Sequence, residues 1–374
     1  MAYKSKEQLI KEIDQFGMFT KSQDFILTGY PLLDCYFSGE DEVKQNVGGF
    51  PRGKMISISG ENGVGKSTFI LYVLRNILKS GMKVIYCDIE DGLNEKSLEG
   101  YKLSEYTAKN LREYLNGDKT FYPYNPITYT QTISTLQDIC AVQKPDMIII
   151  DSYKALRPSK IHEVDDIEDT GAILADKKIE GIFFPALKDL CRVYGLTIIG
   201  LNQVRLRAKG LIFFIDEPQG NAFLHWHDQR YFLKKVDKIE KPFINNLGEK
   251  DKKETGNVVQ LLSKKNRFGM RSLTLPIFFG KGISFIYMYY LILLNNKYIE
   301  LNKSSGTKIF RIPGIYEGTI DEKTGKMSGV SCSTEQAAYK LISDKFDEIE
   351  NFITENGLIY IEKSMENGND EGLF

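Results

Sequence analysis

Apolar residues along this chain come in short blocks separated by polar and amphipathic stretches, and block length decides between strand and helix. Met55–Ser59 (Met-Ile-Ser-Ile-Ser), Lys83–Asp88 (Lys-Val-Ile-Tyr-Cys-Asp), Pro145–Asp151 (Pro-Asp-Met-Ile-Ile-Ile-Asp) and Leu196–Leu201 (Leu-Thr-Ile-Ile-Gly-Leu) are too short for helices and read as buried strands. Phe25–Thr28, Val258–Leu262, Leu273–Phe279 and Ile283–Ile286 read as further strands, the last two joined across Gly280-Lys-Gly282. Phe69–Lys79 has an amphipathic helical pattern closed by Gly81, and another helix is expected to end near Tyr194. Ser5–Phe16 opens with a capping-box pair, Ser5 and Gln8, and places Leu9, Ile10, Ile13 and Phe16 on one face. That face needs a cover, from this subunit's own core or from a neighbour. Residues 94–140 are polar and tyrosine-rich, with Pro123 and Pro126, and read as helix, loop and helix. Lys234–Glu254 reads as a charged hairpin or loop, most simply a solvated face. Beyond Tyr287, short strands with turns at Asn295-Asn296 and Ser304-Ser-Gly306 precede a helix over Thr334–Glu355.

With 374 residues, 42% hydrophobic and 26% charged, the chain can bury one large core and carry a smaller second unit. No apolar run reaches the ~18 residues of a membrane span, and Met-Ala-Tyr-Lys-Ser-Lys at the N-terminus lacks a signal-peptide core. Cys35, Cys87, Cys140, Cys191 and Cys332 form no C-x-x-C pair, which suits a reducing cytoplasm. A formal charge of −1 argues against wholesale coating of nucleic acid, so any such binding must rest on local basic clusters.

One stretch changes the picture most. Gly60-Glu61-Asn62-Gly63-Val64-Gly65-Lys66-Ser67-Thr68 fits G-x-x-x-x-G-K-[ST] without a mismatch, between an expected strand and an expected helix. The glycines let backbone N–H groups turn inward on phosphates, and the helix N-terminus adds partial positive charge. Lys66 is expected to reach the β and γ phosphates of ATP, and Ser67 to hold Mg²⁺.

The ends of the other strands carry matching chemistry. Lys83–Asp88 delivers Glu90 and Asp91 to the edge where open parallel sheets bind ligands. A carboxylate there can act as general base on an attacking water, and a solvated acidic loop is the competing interpretation. Asp151 ends a buried strand and would hold Mg²⁺ through water. Asn202 and Gln203 end the next strand, where amides can sense a γ-phosphate. Arg205, Arg207 and Lys209 then precede Phe213 and Phe214, cations beside aromatics, the composition of a single-strand binding surface or of an exposed loop with an incidental ring pair. His225-Trp226-His227 has the spacing of two metal ligands on one strand face, but no third ligand accompanies it.

In order and spacing these motifs resemble the RecA family of recombinases over nearly the full chain. Gly48–Lys54 resembles the family's turn into the phosphate loop, Asp88-Ile-Glu90 its strand with the catalytic glutamate, and Asp151-Ser152 its magnesium aspartate. Asn202-Gln203-Val-Arg205 resembles the strand whose glutamine couples γ-phosphate to the second DNA-binding loop, and Gly220–Arg230 the segment that closes it. Lys265-Asn-Arg267 resembles the cations that reach a neighbour's ATP, and Ser159–Gly171 would be the first DNA-binding loop. Ser97 stands where the bacterial proteins carry an adenine-stacking tyrosine, and His225 where they usually have an interface phenylalanine. The arm Leu211–Glu217 is unusually apolar.

The resemblance implies an α/β fold, a RecA-like P-loop ATPase core whose mostly parallel sheet is flanked by helices. The expected division is an N-terminal helix and strand oligomerisation segment (1–45), the ATPase core (46–287), a small α+β C-terminal domain (288–363) and a disordered tail (364–374). It also implies ATP and Mg²⁺, single- and double-stranded DNA as partners, a helical homo-oligomeric filament, no membrane, and DNA-dependent ATPase and strand-exchange activity. Two alternatives are a ring-forming helicase of the DnaB type, whose N-terminal helical domain has no counterpart in the 59 residues before Gly60, and a non-catalytic recombinase-like scaffold.

Overall fold

A computed structural model of the chain describes residues 25–39, 47–157, 170–209, 212–216, 220–244, 250–266, 271–302, 305–316 and 329–356. The expected helix Ser5–Phe16, most of Ser159–Gly171, Arg267 and the tail from 364 lie outside the described residues.

Strands in chain order are β1 (Phe25–Ile26), β2 (Phe50–Pro51), β3 (Met55–Gly60), β4 (Val84–Asp88), β5 (Phe121–Tyr124), β6 (Met147–Asp151), β7 (Thr197–Gln203), β8 (Arg205–Lys209), β9 (Ile212–Asp216), β10 (Gln229–Ile244), β11 (Lys250–Lys265), β12 (Ser272–Phe278), β13 (Gly282–Ile283), β14 (Ile299–Leu301), β15 (Lys308–Phe310) and β16 (Val330–Cys332). Helices are α1 (Pro31–Ser38), α2 (Lys66–Lys79), α3 (Glu95–Gly100), α4 (Leu111–Leu115), α5 (Tyr129–Gln143), α6 (Thr170–Tyr194), α7 (Gly220–Trp226), α8 (Phe285–Asn295), α9 (Glu335–Asp344) and α10 (Phe346–Glu355).

Nine strands form the central sheet in the order β13-β12-β11-β10-β3-β7-β6-β4-β5. From β10 to β5 all neighbours run parallel, and β11, β12 and β13 add an antiparallel edge. This is the mostly parallel, helix-flanked sheet anticipated from the motif order. Alternate residues of the buried strands face opposite ways, so each strand feeds two cores. Ile56, Ile58, Met147, Ile149 and Ile199 pack with α1, α2 and α8, while Met55, Ile148, Ile150 and Ile198 pack with α5 and α6. Within β7, Gly200 makes room for Tyr153: a Cβ built there would lie 1.9 Å from the Tyr153 ring.

Three local expectations are corrected. Residues 94–140 contain β5, the outermost strand of the sheet, which pairs with β4 on one side and on the other meets only an isolated bridge from Thr107 to Phe121, so Pro123 is tolerated. Ile283–Ile286 is a strand only to Ile283; Ser284 then caps α8, its side chain accepting from Tyr287 N at 3.3 Å. A continuous apolar run such as Ile283–Leu294 does not by itself distinguish strand from buried helix, and here it forms a helix packed against β12, β14, α9 and α10 within one core. His225-Trp226 lies at the end of α7, not on a strand. The charged stretch Lys234–Glu254 is indeed a hairpin, but its strands run 16 residues each and project beyond the sheet.

Candidate nucleotide site

Because β3, β4, β6 and β7 are parallel, their C-terminal ends lie along one edge: Gly60 is paired with Gln203, and Asp88 with Asp151. The phosphate loop leaves that edge and enters α2. Gly63 and Gly65 adopt φ of 72° and 109°, values open to glycine and strained for other residues. Nothing lies within 4 Å of a Cβ built on Gly63. Lys66, only 7% exposed, donates from Nζ to Gly60 O at 2.9 Å and Glu61 O at 2.8 Å. Burial pushes its ammonium down to about 8, against the pull of Asp151 and Glu90.

Opposite the loop, Asp151 Oδ2 accepts from Ser67 Oγ and from Tyr86 OH, both at 2.6 Å. Burial raises the Asp151 carboxyl above the usual carboxylate range, and these two hydrogen bonds oppose the rise. Ser67 and Asp151 thus converge two hard oxygens on one point, a donor set that suits Mg²⁺. Among the described residues no group of three or more His, Cys, Asp and Glu could hold a metal ion.

Glu90 stands in a loop shaped by Asp88, whose carboxylate accepts from Gly92 N at 2.9 Å and Leu93 N at 2.8 Å. Its Oε1 accepts from Ser152 Oγ and from Gln203 Nε2, the latter at 2.7 Å. Gln203 Oε1 in turn accepts from Lys154 Nζ at 3.4 Å. One hydrogen-bonded line therefore joins Ser152, Glu90, Gln203 and Lys154 across three strand ends, and the peptide between Asp151 and Ser152 is cis. Lys66, Ser67, Asp151, Glu90 and Gln203, chosen from sequence, are brought together. Asp91 turns aside, its Oδ1 accepting from Asn125 Nδ2 at 2.9 Å.

After Val204 the chain enters β8, paired antiparallel with β9 so that Arg207 opposes Phe214 and Ala208 opposes Phe213. Arg205, Arg207, Lys209, Phe213 and Phe214 thus share one two-stranded ribbon that starts two residues from Gln203; only its backbone is described.

Lys265 stands elsewhere. Its Nζ caps the C-terminal end of α7, donating to His227 O at 2.6 Å, His225 O at 3.1 Å and Leu224 O at 3.4 Å. His227 is wholly buried, its Nδ1 2.7 Å from Phe223 O and its Nε2 3.3 Å from Tyr153 OH. A carbonyl at Nδ1 requires a proton there, so Nε2 accepts from the tyrosine. Burial lowers the ring to about 3, and His227 is a neutral core residue with both nitrogens occupied.

Three residues were missed by sequence reasoning. Asn257 on β11 donates from Nδ2 to Gly63 O at 3.2 Å, tying the long hairpin to the phosphate loop. Phe279, 45% exposed, precedes the Gly280 turn, and Gly280 O lies 3.7 Å from a Cβ built on Gly100 in α3. The third is Lys154, whose only sequence signal is its place three residues after Asp151.

The RecA N-terminal domain family model matches residues 36–284, about two thirds of the chain. The chain is 26% identical to a RecA protein of Borrelia duttonii over 246 residues, covering 64% of this chain and 60% of that one. It is 25% identical to a RecA protein of Treponema denticola over 244 residues, 63% of this chain and 52% of that one. With a RecA protein of Campylobacter jejuni the identity is 25% over 278 residues, 73% of this chain and 70% of that one. The chain thus spans less than two thirds of the length of the first two relatives. The family match lies over the same sheet and strand ends that assemble the site, and on both grounds the chain belongs to the RecA family.

Proposed function

We propose that this chain is an ATP-dependent recombinase that assembles as a helical filament on single-stranded DNA and promotes homologous pairing and strand exchange with duplex DNA. The observation that carries this is the line Ser152–Glu90–Gln203, because Gln203 is both a partner of the candidate base and the last residue of the strand that leads into the β8–β9 ribbon.

Lys66 neutralises phosphate charge, with the glycine loop supplying backbone donors. Ser67 and Asp151 would hold Mg²⁺, which when bound shields the β and γ phosphate oxygens. Glu90 takes a proton from the attacking water, and Ser152 Oγ keeps its carboxylate aimed. Gln203, released from Glu90 by a terminal phosphate, shifts β8 and with it Arg205, Arg207, Lys209, Phe213 and Phe214, which contact phosphates and bases of the strand. Phe279 offers a ring to the nucleotide base, in the role left open by Ser97. Lys265 and Arg267 act on a neighbour's phosphates in the filament.

The test is ATP hydrolysis by the purified protein with and without single-stranded DNA, together with electron micrographs in ATP. DNA-stimulated turnover with filaments is expected. Rings would favour the helicase alternative, and binding of ATP without turnover the scaffold. Glu90→Gln keeps an acceptor oxygen for Ser152 and Gln203, so it should bind ATP, lose about 10²–10⁴ in turnover and persist on DNA; wild-type turnover would remove Glu90 as the base.

A further inference from the structure

β6 ends at Asp151, and a single 3-10 turn, Tyr153–Ala155, follows at the edge of the site. Tyr153 is fully buried, its ring filling the space over Gly200 and its hydroxyl on His227. With that residue anchored, the turn has little freedom, and the next side chain, Lys154, reaches Gln203 Oε1. An ammonium only donates, so the Gln203 carbonyl faces Lys154 and its NH₂ faces Glu90. The contact is long, 3.4 Å against the usual 2.7–3.2 Å, and its acceptor is neutral. An ionised phosphate oxygen is a stronger partner for the same group.

We propose that Lys154 is a second lysine in cis that binds the terminal phosphate of a nucleoside triphosphate, exchanging Gln203 Oε1 for a phosphate oxygen and freeing the Gln203 amide to move with β8. This rests on the phosphate-loop assignment. Proximity supports it independently: the Lys154 charge is felt at Lys66, where it helps hold the ammonium below its ordinary range, behind the larger effect of burial. Two cations then face the phosphates from two strand ends on the same edge of the sheet, Lys66 beyond β3 and Lys154 beyond β6. Lys66 serves di- and triphosphates alike, whereas Lys154, on the Glu90 and Gln203 side, reads only the last phosphate. Part of the charge that Lys265 and Arg267 would supply from a neighbour is thereby supplied within one subunit.

The full-length protein is titrated with ATPγS and with ADP, each with Mg²⁺ and without DNA. Lys154→Ala should weaken ATPγS binding about tenfold or more and leave ADP binding within about twofold, as expected for loss of one charge-assisted hydrogen bond. Lys154→Arg should restore the preference for the triphosphate. Gln203→Ala, which keeps Lys154, should retain it. Equal weakening of both nucleotides by Lys154→Ala, or no change in either, overturns the proposal. Loss of the preference in Gln203→Ala also overturns it, by assigning the effect to the amide. Lys66→Ala separates the underlying assumption, since it should weaken both nucleotides; if it weakens neither, the phosphate-loop assignment fails instead.

Discussion

Lys66 and Lys265 both set their ammonium groups on backbone carbonyl oxygens, but they belong to different levels of the fold. Lys66 is buried and bonds Gly60 and Glu61, within its own loop. Lys265 is exposed and bonds the end of α7, some 40 residues away in sequence. The first arrangement follows from nine consecutive residues and would form wherever that strand, loop and helix fold. The second exists only because β10 and β11 pair and return the chain to α7. For Lys265 to act on a neighbour's nucleotide, three carbonyl contacts must be given up, whereas Lys66 needs only to turn within its loop.

The strongest way to break this comparison is Lys265→Ala/Arg267→Ala. The double variant should bind nucleotide as a single subunit yet lose about 10³–10⁵ in DNA-stimulated turnover, the scale of cations supplied in trans. Mixing it with Glu90→Gln protein should restore part of the turnover, because some junctions then pair an intact base with intact cations. No recovery at any ratio, despite co-assembly in electron micrographs, would make Lys265 a helix cap and nothing more. Next in size, Lys66→Ala should weaken ATP binding about a hundredfold through loss of its charge-assisted contacts. Two carbonyls that lose their donor should cost about 1–2 kcal/mol in urea unfolding, measured in parallel.

A third experiment probes the ground on which Lys265 rests. His227 is neutral in the folded chain and titrates near 6.5 when unfolded, so between about pH 6.5 and 3 the unfolded state binds the extra proton. Stability from this group is complete above pH 6.5 and falls as pH drops, by about 2 kcal/mol between pH 6.5 and 5. His227→Gln should flatten that limb of a stability profile; an unchanged slope would show that the ring is not buried neutral. The smallest effect concerns the ribbon beside Gln203. Arg205→Ala/Arg207→Ala should lower the salt dependence of single-strand binding by up to about two charges. An unchanged slope would return the ribbon to an exposed loop.

What could be seen in the sequence divides along the same line as the two lysines. The phosphate loop, Asp151 and Gln203 were legible because each ends a short apolar strand, and a parallel sheet must bring such ends together. β5 was hidden by Pro123, a residue that argues against central strands and says nothing against an outer one. α8 was hidden because Ile283–Leu294 is apolar on every face, which erases periodicity. His225 and His227 look like a strand pair when only their spacing is considered, yet α7 turns them apart, one ring exposed and one buried. Asn257 and Lys154 come from separate elements, and their nearness to the loop depends on the hairpin and the 3-10 turn closing on the same edge, while the β12–β13 turn after Phe279 comes up against Gly100 of α3. No local pattern encodes that closure.

The dent at Gly200 bears on how this chain can vary over generations. Any side chain at that position collides with the Tyr153 ring, and the ring cannot retreat without leaving His227 and moving the turn that carries Ser152 and Lys154. Substitution at either position alone is therefore punished, Gly200→Ala by overpacking and Tyr153→Val by a cavity. Together the two changes exchange volume across the sheet, and the pair should be better tolerated than either single. Positions 153 and 200 amount to one inherited choice written in two places, and lineages of this chain should cross between its states in a paired step.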